Sequence, residues 1–306
     1  MYIANPIFDT VFKHLMENNR VARFFVETII ERPVESIAVA PQDYTHFKYK
    51  PSDGYESHSV TEEFKTEERL AVLRYDFVAK IRTPEGHKKV LIEIQKAKNA
   101  IDLMRFRTYL GEQYKRKDTI VVDGKEIEET LPIITIYLLG FKLPETDAIV
   151  IHVSRTYHDV IEHRELHIKS EFIECLTHDS YIVQIPRIEG KTRTRLEKLL
   201  SIFEQDNFFD EDDIIKVYRY AVDDENIRLM LEILYHVGAD PDKRKEIEIE
   251  RRSQEMWERE IVSRDKQIAE QKKALAEKDK ALVEKDKTLA EKEVEIEELR
   301  KKLGLN

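Results

Sequence analysis

The chain has 306 residues, of which 41% are hydrophobic and 37% are charged, enough for one sizeable core with additional charge-rich segments. Its only cysteine, Cys175, excludes an internal disulfide and any zinc site that needs several cysteines. The first residues show no basic leader followed by an apolar stretch, and the longest apolar run, about 131–141, is too short to span a bilayer. We therefore expect a cytoplasmic protein with no membrane partner.

The net charge of −10 is distributed unevenly along the chain. Residues 1–242 carry 33 basic and 44 acidic side chains, whereas residues 243–306 carry 18 and 17. Because an acidic body repels polyanions, any contact with nucleic acid has to come from local basic patches.

The N-terminal segment predicts a helix. Asn5 and Pro6 form a cap signal, and large apolar residues follow at helical spacing up to about residue 30. After this helix, the alternating stretch 36–40 predicts a strand, and residues 51–63 read as a polar loop.

Two β-like segments, 73–81 and 90–95, flank the turn signal at 83–86 and predict a hairpin. Paired positions in such a hairpin have numbers that sum to about 170, which places Asp76 opposite Glu93 to within one residue. Directly opposed residues have Cβ atoms roughly 5 Å apart, close enough for two carboxylates to share a divalent cation.

Alternation along the strands groups the polar side chains of this hairpin on one face. Glu93 and Gln95 project together, and Asp76 shares a face with Lys80. One interpretation is an ordinary amphipathic hairpin with exposed polar residues. However, the apolar residues around Glu93 predict a central strand buried on both faces, where an unpaired carboxylate is costly and a metal ion would explain it.

A basic segment begins directly after the second strand. Residues 99–117 read as a helix, and the segment is the basic patch through which we expect any contact with nucleic-acid phosphates, by Lys96, Lys98, Arg105, Arg107, Lys115, Arg116 and Lys117. The alternative is a solvated helix face without a ligand.

The remaining body alternates between the two kinds of secondary structure. A turn at Asp123 and Gly124 is followed by predicted strands at 132–140, 149–153 and 181–188, and by predicted helices at 192–204, 211–222 and 225–237. Gly238 to Pro241 is a helix stop signal, where we place the end of the body.

The tail carries a heptad repeat. Apolar residues recur at a strict interval of seven, at Ile261, Ile268, Leu275, Leu282, Leu289, Ile296 and Leu303. The second core position falls either on Lys278, Lys285 and Lys292 or on Asp279, Asp286 and Glu293. A long helix is expected, and the sequence leaves open whether it forms a coiled coil or stands alone, held by Glu-to-Lys pairs.

Several of these segments, in this order, resemble the PD-(D/E)XK superfamily, and within it the recombination-promoting nuclease and transposase-like (Rpn-like) group. The matching segments are Phe8-Asp9-Thr10-Val11-Phe12-Lys13, Arg74-Tyr75-Asp76-Phe77, Ile92-Glu93-Ile94-Gln95, 105–114 and 172–178. The resemblance implies an α/β fold with a restriction-endonuclease-like mixed sheet flanked by helices. It also implies metal-dependent hydrolysis of DNA phosphodiesters, with Asp76 and Glu93 as ligands of Mg²⁺ or another divalent cation such as Mn²⁺.

Gln95 departs from the superfamily pattern, because it stands where the name-giving lysine would be. An amide orients water or substrate by hydrogen bonds, whereas a lysine offers positive charge to the transition state. Lys80 could supply that charge, and Asp9 and Lys13 of the first helix are further candidates; Asp9 could instead favour the start of its helix. The departure leaves open a catalytically decayed scaffold that acts as an oligomeric interaction or regulatory protein.

The resemblance and the composition together suggest three regions. Residues 1–145 would form the nuclease core, 146–242 an accessory region with a helical C-terminal subdomain, and 243–306 the heptad-repeat helix. DNA is the expected partner. A homo-oligomer formed through the C-terminal helix would bring together the two sites that duplex cleavage needs.

Overall fold

The computed structural model describes residues 1–39, 45–48, 70–73, 77–95, 100–210 and 212–302. The polar loop predicted at 51–63 lies outside these ranges. Two compact units divide the chain, Met1–Glu248 and Ile249–Asn306. None of the helices within the described residues combines the length and the apolar character needed to cross a membrane.

The helices have the bounds α1 Asp9–Met16, α2 Asn19–Ile30, α3 Ala100–Lys115, α4 Glu171–Leu176, α5 Arg195–Leu200, α6 Glu225–Ala239 and α7 Pro241–Lys302, with 3₁₀ turns at Ile185–Arg187 and Ser201–Phe203. The strands are β1 Tyr2–Ala4, β2 Ser36–Val39, β3 Thr45–Lys48, β4 Leu70–Leu73, β5 Phe77–Thr83, β6 Gly86–Gln95, β7 Asp118–Val122, β8 Lys125–Glu129, β9 Ile133–Leu139, β10 Val150–Val153, β11 Tyr157–Asp159, β12 Arg164–Leu166, β13 His178–Gln184 and β14 Ile215–Val217.

A six-stranded sheet lies at the centre of the first unit, in the order β10-β13-β9-β6-β5-β2. The three strands β6, β9 and β13 run parallel, while the outer pairings are antiparallel, so the sheet is mixed. Helices flank it, which confirms the predicted mixed α/β class. Strands on both sides of residue 145 belong to this one sheet, and β6 occupies an interior position between β5 and β9.

Both faces of the sheet are covered by apolar side chains. On one face, Phe12 of α1 and Phe25 of α2 join the large cluster that contains Phe77 of β5 and Ile92 of β6. The other face carries a smaller cluster formed by Leu91, Phe106, Tyr109 and Ile133, with Phe106 and Tyr109 contributed by α3. The basic segment therefore forms a helix on the second face, and its predicted helical structure is confirmed.

The prediction of one N-terminal helix after Pro6 is wrong. The chain forms two helices, and the second begins after Asn18, whose side chain accepts hydrogen bonds from the backbone N–H groups of Arg20 and Val21. An asparagine in this position caps a new helix and separates it from the preceding one. Asn5 is buried instead, and its amide donates to Gln205 Oε1 at 3.0 Å.

The helix predicted over residues 211–222 is also wrong. Ile215–Val217 forms strand β14, which pairs antiparallel with β1 at the N-terminus. This pairing joins positions more than 200 residues apart, so tertiary contacts override the local helical pattern. The predicted helices at 225–237 and in the tail are confirmed as α6 and α7, and the region 192–204 contains α5 and a 3₁₀ turn.

Candidate functional site

The hairpin predicted around residue 85 is present, as strands β5 and β6. Phe77 pairs with Ile92 and Thr83 pairs with Gly86, so the register agrees with the predicted one to within one residue. Gly86 has a φ of 119°, a backbone conformation that favours glycine. Asp76, the residue before Phe77, lies outside the described residues.

Glu93 is fully buried in the interior of the sheet. Its side chain has 0% exposure, and the residues from Val90 to Ile94 are all exposed by 4% or less. This burial confirms the predicted central strand. Since Ile92 and Ile94 belong to the cluster on the α1 and α2 face, alternation places Glu93 on the opposite face, together with Leu91.

A buried carboxylate is costly unless hydrogen bonds, an opposite charge or a cation compensate the loss of hydration. In an ordinary amphipathic hairpin, such a carboxylate would be exposed to water. The burial of Glu93 therefore does not agree with the interpretation of an ordinary hairpin with exposed polar residues.

Tyr137 is the direct neighbour of Glu93 on the adjacent strand β9. Its ring packs against Phe106 of α3, with 4.3 Å between the ring centroids. Burial raises the pKa of the Tyr137 phenol, and the negative charge of Glu93 raises it further, whereas a hydrogen bond with Thr135 lowers it. The phenol thus keeps its proton and can act as a donor beside the carboxylate.

Sequence reasoning missed Tyr137. The residue lies in a strand that was predicted, but the parallel register between β6 and β9 joins segments about 44 positions apart and has no local sequence signal.

Lys80 lies on the predicted face but away from Glu93. It pairs with Lys89, four residues before Glu93 on β6, which corresponds to roughly 13 Å along the strand. The ammonium group donates to the Thr119 carbonyl at 2.8 Å and lies 3.9 Å from Asp118 Oδ1. The structure therefore does not bring Lys80 and Glu93 together.

Lys89 forms a buried ion pair in the same region. Its Nζ lies 2.6 Å from Asp118 Oδ2 and donates to Gln113 Oε1 at 3.2 Å. Burial lowers the pKa of Lys89, while the hydrogen bond to Asp118 opposes that change. Lys89 thereby connects the sheet to the last turns of α3 and to β7.

Asp9 and Lys13 lie on α1, which covers the face of the sheet opposite to Glu93. The ring of Phe12 contacts that of Phe77 with 6.4 Å between centroids, so α1 sits at the end of the sheet where Phe77 pairs with Ile92. Both side chains are half-buried. Asp9 and Lys13 therefore lie near the end of the sheet that contains Glu93, but on the face opposite to its side chain.

The basic segment is only partly described. Lys96 and Lys98 lie outside the described residues, as do the side chains of Arg105 and of Gln95, although the backbone of Gln95 ends β6. Three other basic side chains of this set, Arg107, Lys115 and Lys117, are exposed, and Arg116 is half-buried.

Acidic groups accompany the exposed cations of this segment. Lys115 donates to Glu112 Oε1 at 2.7 Å, and Lys117 shares an open groove of about 1160 Å³ with Glu128, Glu129 and Glu171. The end of α3 nearest this groove is therefore mixed in charge.

The carboxylate of Glu93 is an oxygen donor of the kind that Mg²⁺ prefers, so its chemistry fits the predicted metal. Within the described part of the chain, no group of three or more His, Cys, Asp or Glu residues is placed to hold a metal ion. Asp76, the second predicted ligand, is outside that part.

Comparisons of this sequence with models of known families, with curated proteins and with solved structures found no match.

Proposed function

We propose that this chain is a magnesium-dependent endodeoxyribonuclease with a restriction-endonuclease-like core, as its resemblance to the PD-(D/E)XK superfamily implies. The observation that carries the proposal is Glu93, a fully buried carboxylate in the interior strand of an apolar sheet, at the position that the resemblance assigns to a metal ligand. Its link to recombination or transposition follows from the resemblance alone.

Asp76 and Glu93 would hold the cation through carboxylate oxygens. When bound, Mg²⁺ polarises a phosphoryl oxygen and lowers the pKa of a coordinated water. Gln95 would orient water or substrate through its amide. Tyr137, which pairs with Glu93 across β6 and β9, would place a protonated phenol beside the carboxylate and the cation that it holds. Exposed Arg107 and Lys117 would contribute contacts to DNA phosphates.

Two isosteric substitutions test the centre, Glu93→Gln and Asp76→Asn, each assayed for nicking of supercoiled plasmid in Mg²⁺. Each removes a negative charge and keeps the side-chain shape, so we expect the rate to fall on the order of a hundredfold or more. Glu232→Gln is the matched control, because Glu232 is an exposed carboxylate on α6, outside the proposed centre and the basic segment, and its loss should leave the rate unchanged.

Calorimetric titration with Mn²⁺ provides a readout that does not depend on turnover. The parent and Glu232→Gln should bind the ion, and Glu93→Gln should bind it more weakly. If Glu93→Gln nicks plasmid as fast as the parent, the assigned centre is wrong.

A second function, a catalytically decayed scaffold, is favoured by one observation. Lys80, one of the lysines that could replace the missing charge, donates to Thr119, lies near Asp118 and pairs with Lys89, four residues before Glu93 on β6. For such a scaffold, the parent protein would neither nick DNA nor bind Mg²⁺ or Mn²⁺.

A further inference from the structure

Helix α7 carries a row of exposed apolar side chains along one line of its surface. Members of this row, called the leucine row, are spaced seven residues apart and are 47% to 60% exposed: Ile268, Leu275, Leu282, Leu289 and Ile296. Single exposed apolar residues need no explanation, but a row repeated at a fixed interval of seven along one helix does.

The period of the row indicates how it can be covered. An α-helix has 3.6 residues per turn, so positions seven apart fall about 20° short of two full turns. From Ile268 to Ile296 the row therefore drifts by about 80° around a straight helix. A partner helix stays in contact with all five side chains only if the two helices wind around each other in a left-handed supercoil.

Charged rows flank the leucine row with opposite signs. Lys278, Lys285 and Lys292 follow the leucines by three residues and lie about 60° to one side. On the other side, about 40° away, the acidic residues follow by four: Asp279, Asp286 and Glu293. All six side chains are exposed.

We infer that the leucine row binds the leucine row of a second copy of this chain, with the two α7 helices parallel and in register. In a parallel pair, the twofold axis runs along the helices and brings opposite flanks together, so the lysine row of one copy lies beside the acidic row of the other. An antiparallel pair would instead place lysines beside lysines and acids beside acids. The methylene stems of the lysines extend the narrow apolar seam.

The inference does not depend on the proposed nuclease activity. In a parallel pair, the N-terminal ends of the two α7 helices lie side by side.

Sedimentation equilibrium of the full chain tests the association. Replacing Leu275, Leu282 and Leu289 together by Gln removes three apolar contacts per copy, and we expect the dissociation constant of the dimer to rise by a factor of at least about ten. The matched control replaces Ala276, Val283 and Ala290 by Gln. Each of these residues follows a leucine of the row by one position and lies about 100° away from it around the helix. The control should remain a dimer, and circular dichroism should show equal helix content in both variants.

Disulfide capture tests the orientation, in a Cys175→Ser background that leaves no native thiol. Parallel pairing predicts that Ile268→Cys alone and Ile296→Cys alone each give a covalent dimer on mild oxidation. An antiparallel pair would give a covalent dimer only when the two proteins are mixed. That result, or a parent chain that stays monomeric at all concentrations tested, would overturn the inference.

Discussion

Lys216 is almost completely enclosed by the protein, with 1% of its surface exposed. Its ammonium group donates hydrogen bonds to the backbone carbonyls of Ile202, at 3.2 Å, and Glu204. Burial lowers the pKa of Lys216 to about 8, although the negative charges of Asp206 and Glu204 oppose this change. The residue therefore couples the stability of the fold to pH.

The sign of this coupling follows from the two protonation states. In the unfolded chain the lysine has its ordinary pKa near 10.5, so between about pH 8 and pH 10.5 the unfolded state binds more protons than the folded state. The contribution of Lys216 to stability is thus fully present above pH 10.5 and is lost as the pH falls through 8.

We predict that Lys216→Met removes this pH dependence. Relative to the variant, the parent should gain about 3 kcal/mol of unfolding free energy between pH 8 and pH 10.5. Urea unfolding at a series of pH values measures the difference, with Lys125→Met, at an exposed position, as the control. Parallel stability curves for the parent and Lys216→Met would contradict the prediction.

Glu93 and Lys216 show what can be read from sequence at the scale of a residue. The burial of Glu93 was predictable because the apolar side chains of its own strand surround it in sequence. Lys216 is also flanked by apolar residues, Ile215 and Val217, but the segment was predicted as a helix, and the enclosure of Lys216 depends on pairing with β1, more than 200 residues away.

At the scale of an element, helix α3 is attached to the sheet by polar as well as apolar contacts. Phe106 and Tyr109 cover Leu91, and the buried ammonium of Lys89 joins Gln113 of α3 and Asp118 at the start of β7. Only the apolar contacts follow from helical periodicity. The lysine was not predicted to be buried, since its ion pair joins positions 29 residues apart.

We predict that Lys89→Met destabilises the fold by about 1–3 kcal/mol, because Asp118 would keep its charge at a buried position with Lys80, 3.9 Å from its Oδ1, as a more distant cation. Adding Asp118→Asn to this variant should restore a large part of the loss. Chemical denaturation of the parent, the single variant and the double variant measures both effects. Equal stability of parent and single variant would show that Lys89 does not stabilise the attachment of α3 and β7 to the sheet.

Gly238 shows how an element boundary can be predicted for the wrong physical reason. The stop signal at 238–241 is close to the observed end of α6 at Ala239, but Gly238 lies inside the helix. A Cβ atom there would come within 3.0 Å of the Ala4 backbone nitrogen. The glycine is required by the close approach of α6 to β1, which no local pattern reveals.

At the scale of the molecule, the order of the strands could not be predicted from the sequence. Hairpin β5-β6 follows from its turn, whereas the parallel pairs of β6 with β9 and of β9 with β13 join segments separated by whole elements.

The first part of α7 belongs to the first unit, because Ile247 has 0% exposure and lies in the large apolar cluster. Arg244 adds a hydrogen bond from its Nε to the Gly238 carbonyl.

These contacts predict how far the tail can be shortened. A chain ending at residue 248 keeps Ile247, whereas a chain ending at 242 loses it and leaves a cavity in the cluster, so we expect the shorter chain to be less stable by about 2–5 kcal/mol. Thermal and urea unfolding of the two truncated chains measure the difference. Ile247→Ala in the chain ending at 248 is the matched control and should reproduce most of the loss. If the chain ending at 242 is as stable as the one ending at 248, the first two turns of α7 contribute nothing to the first unit.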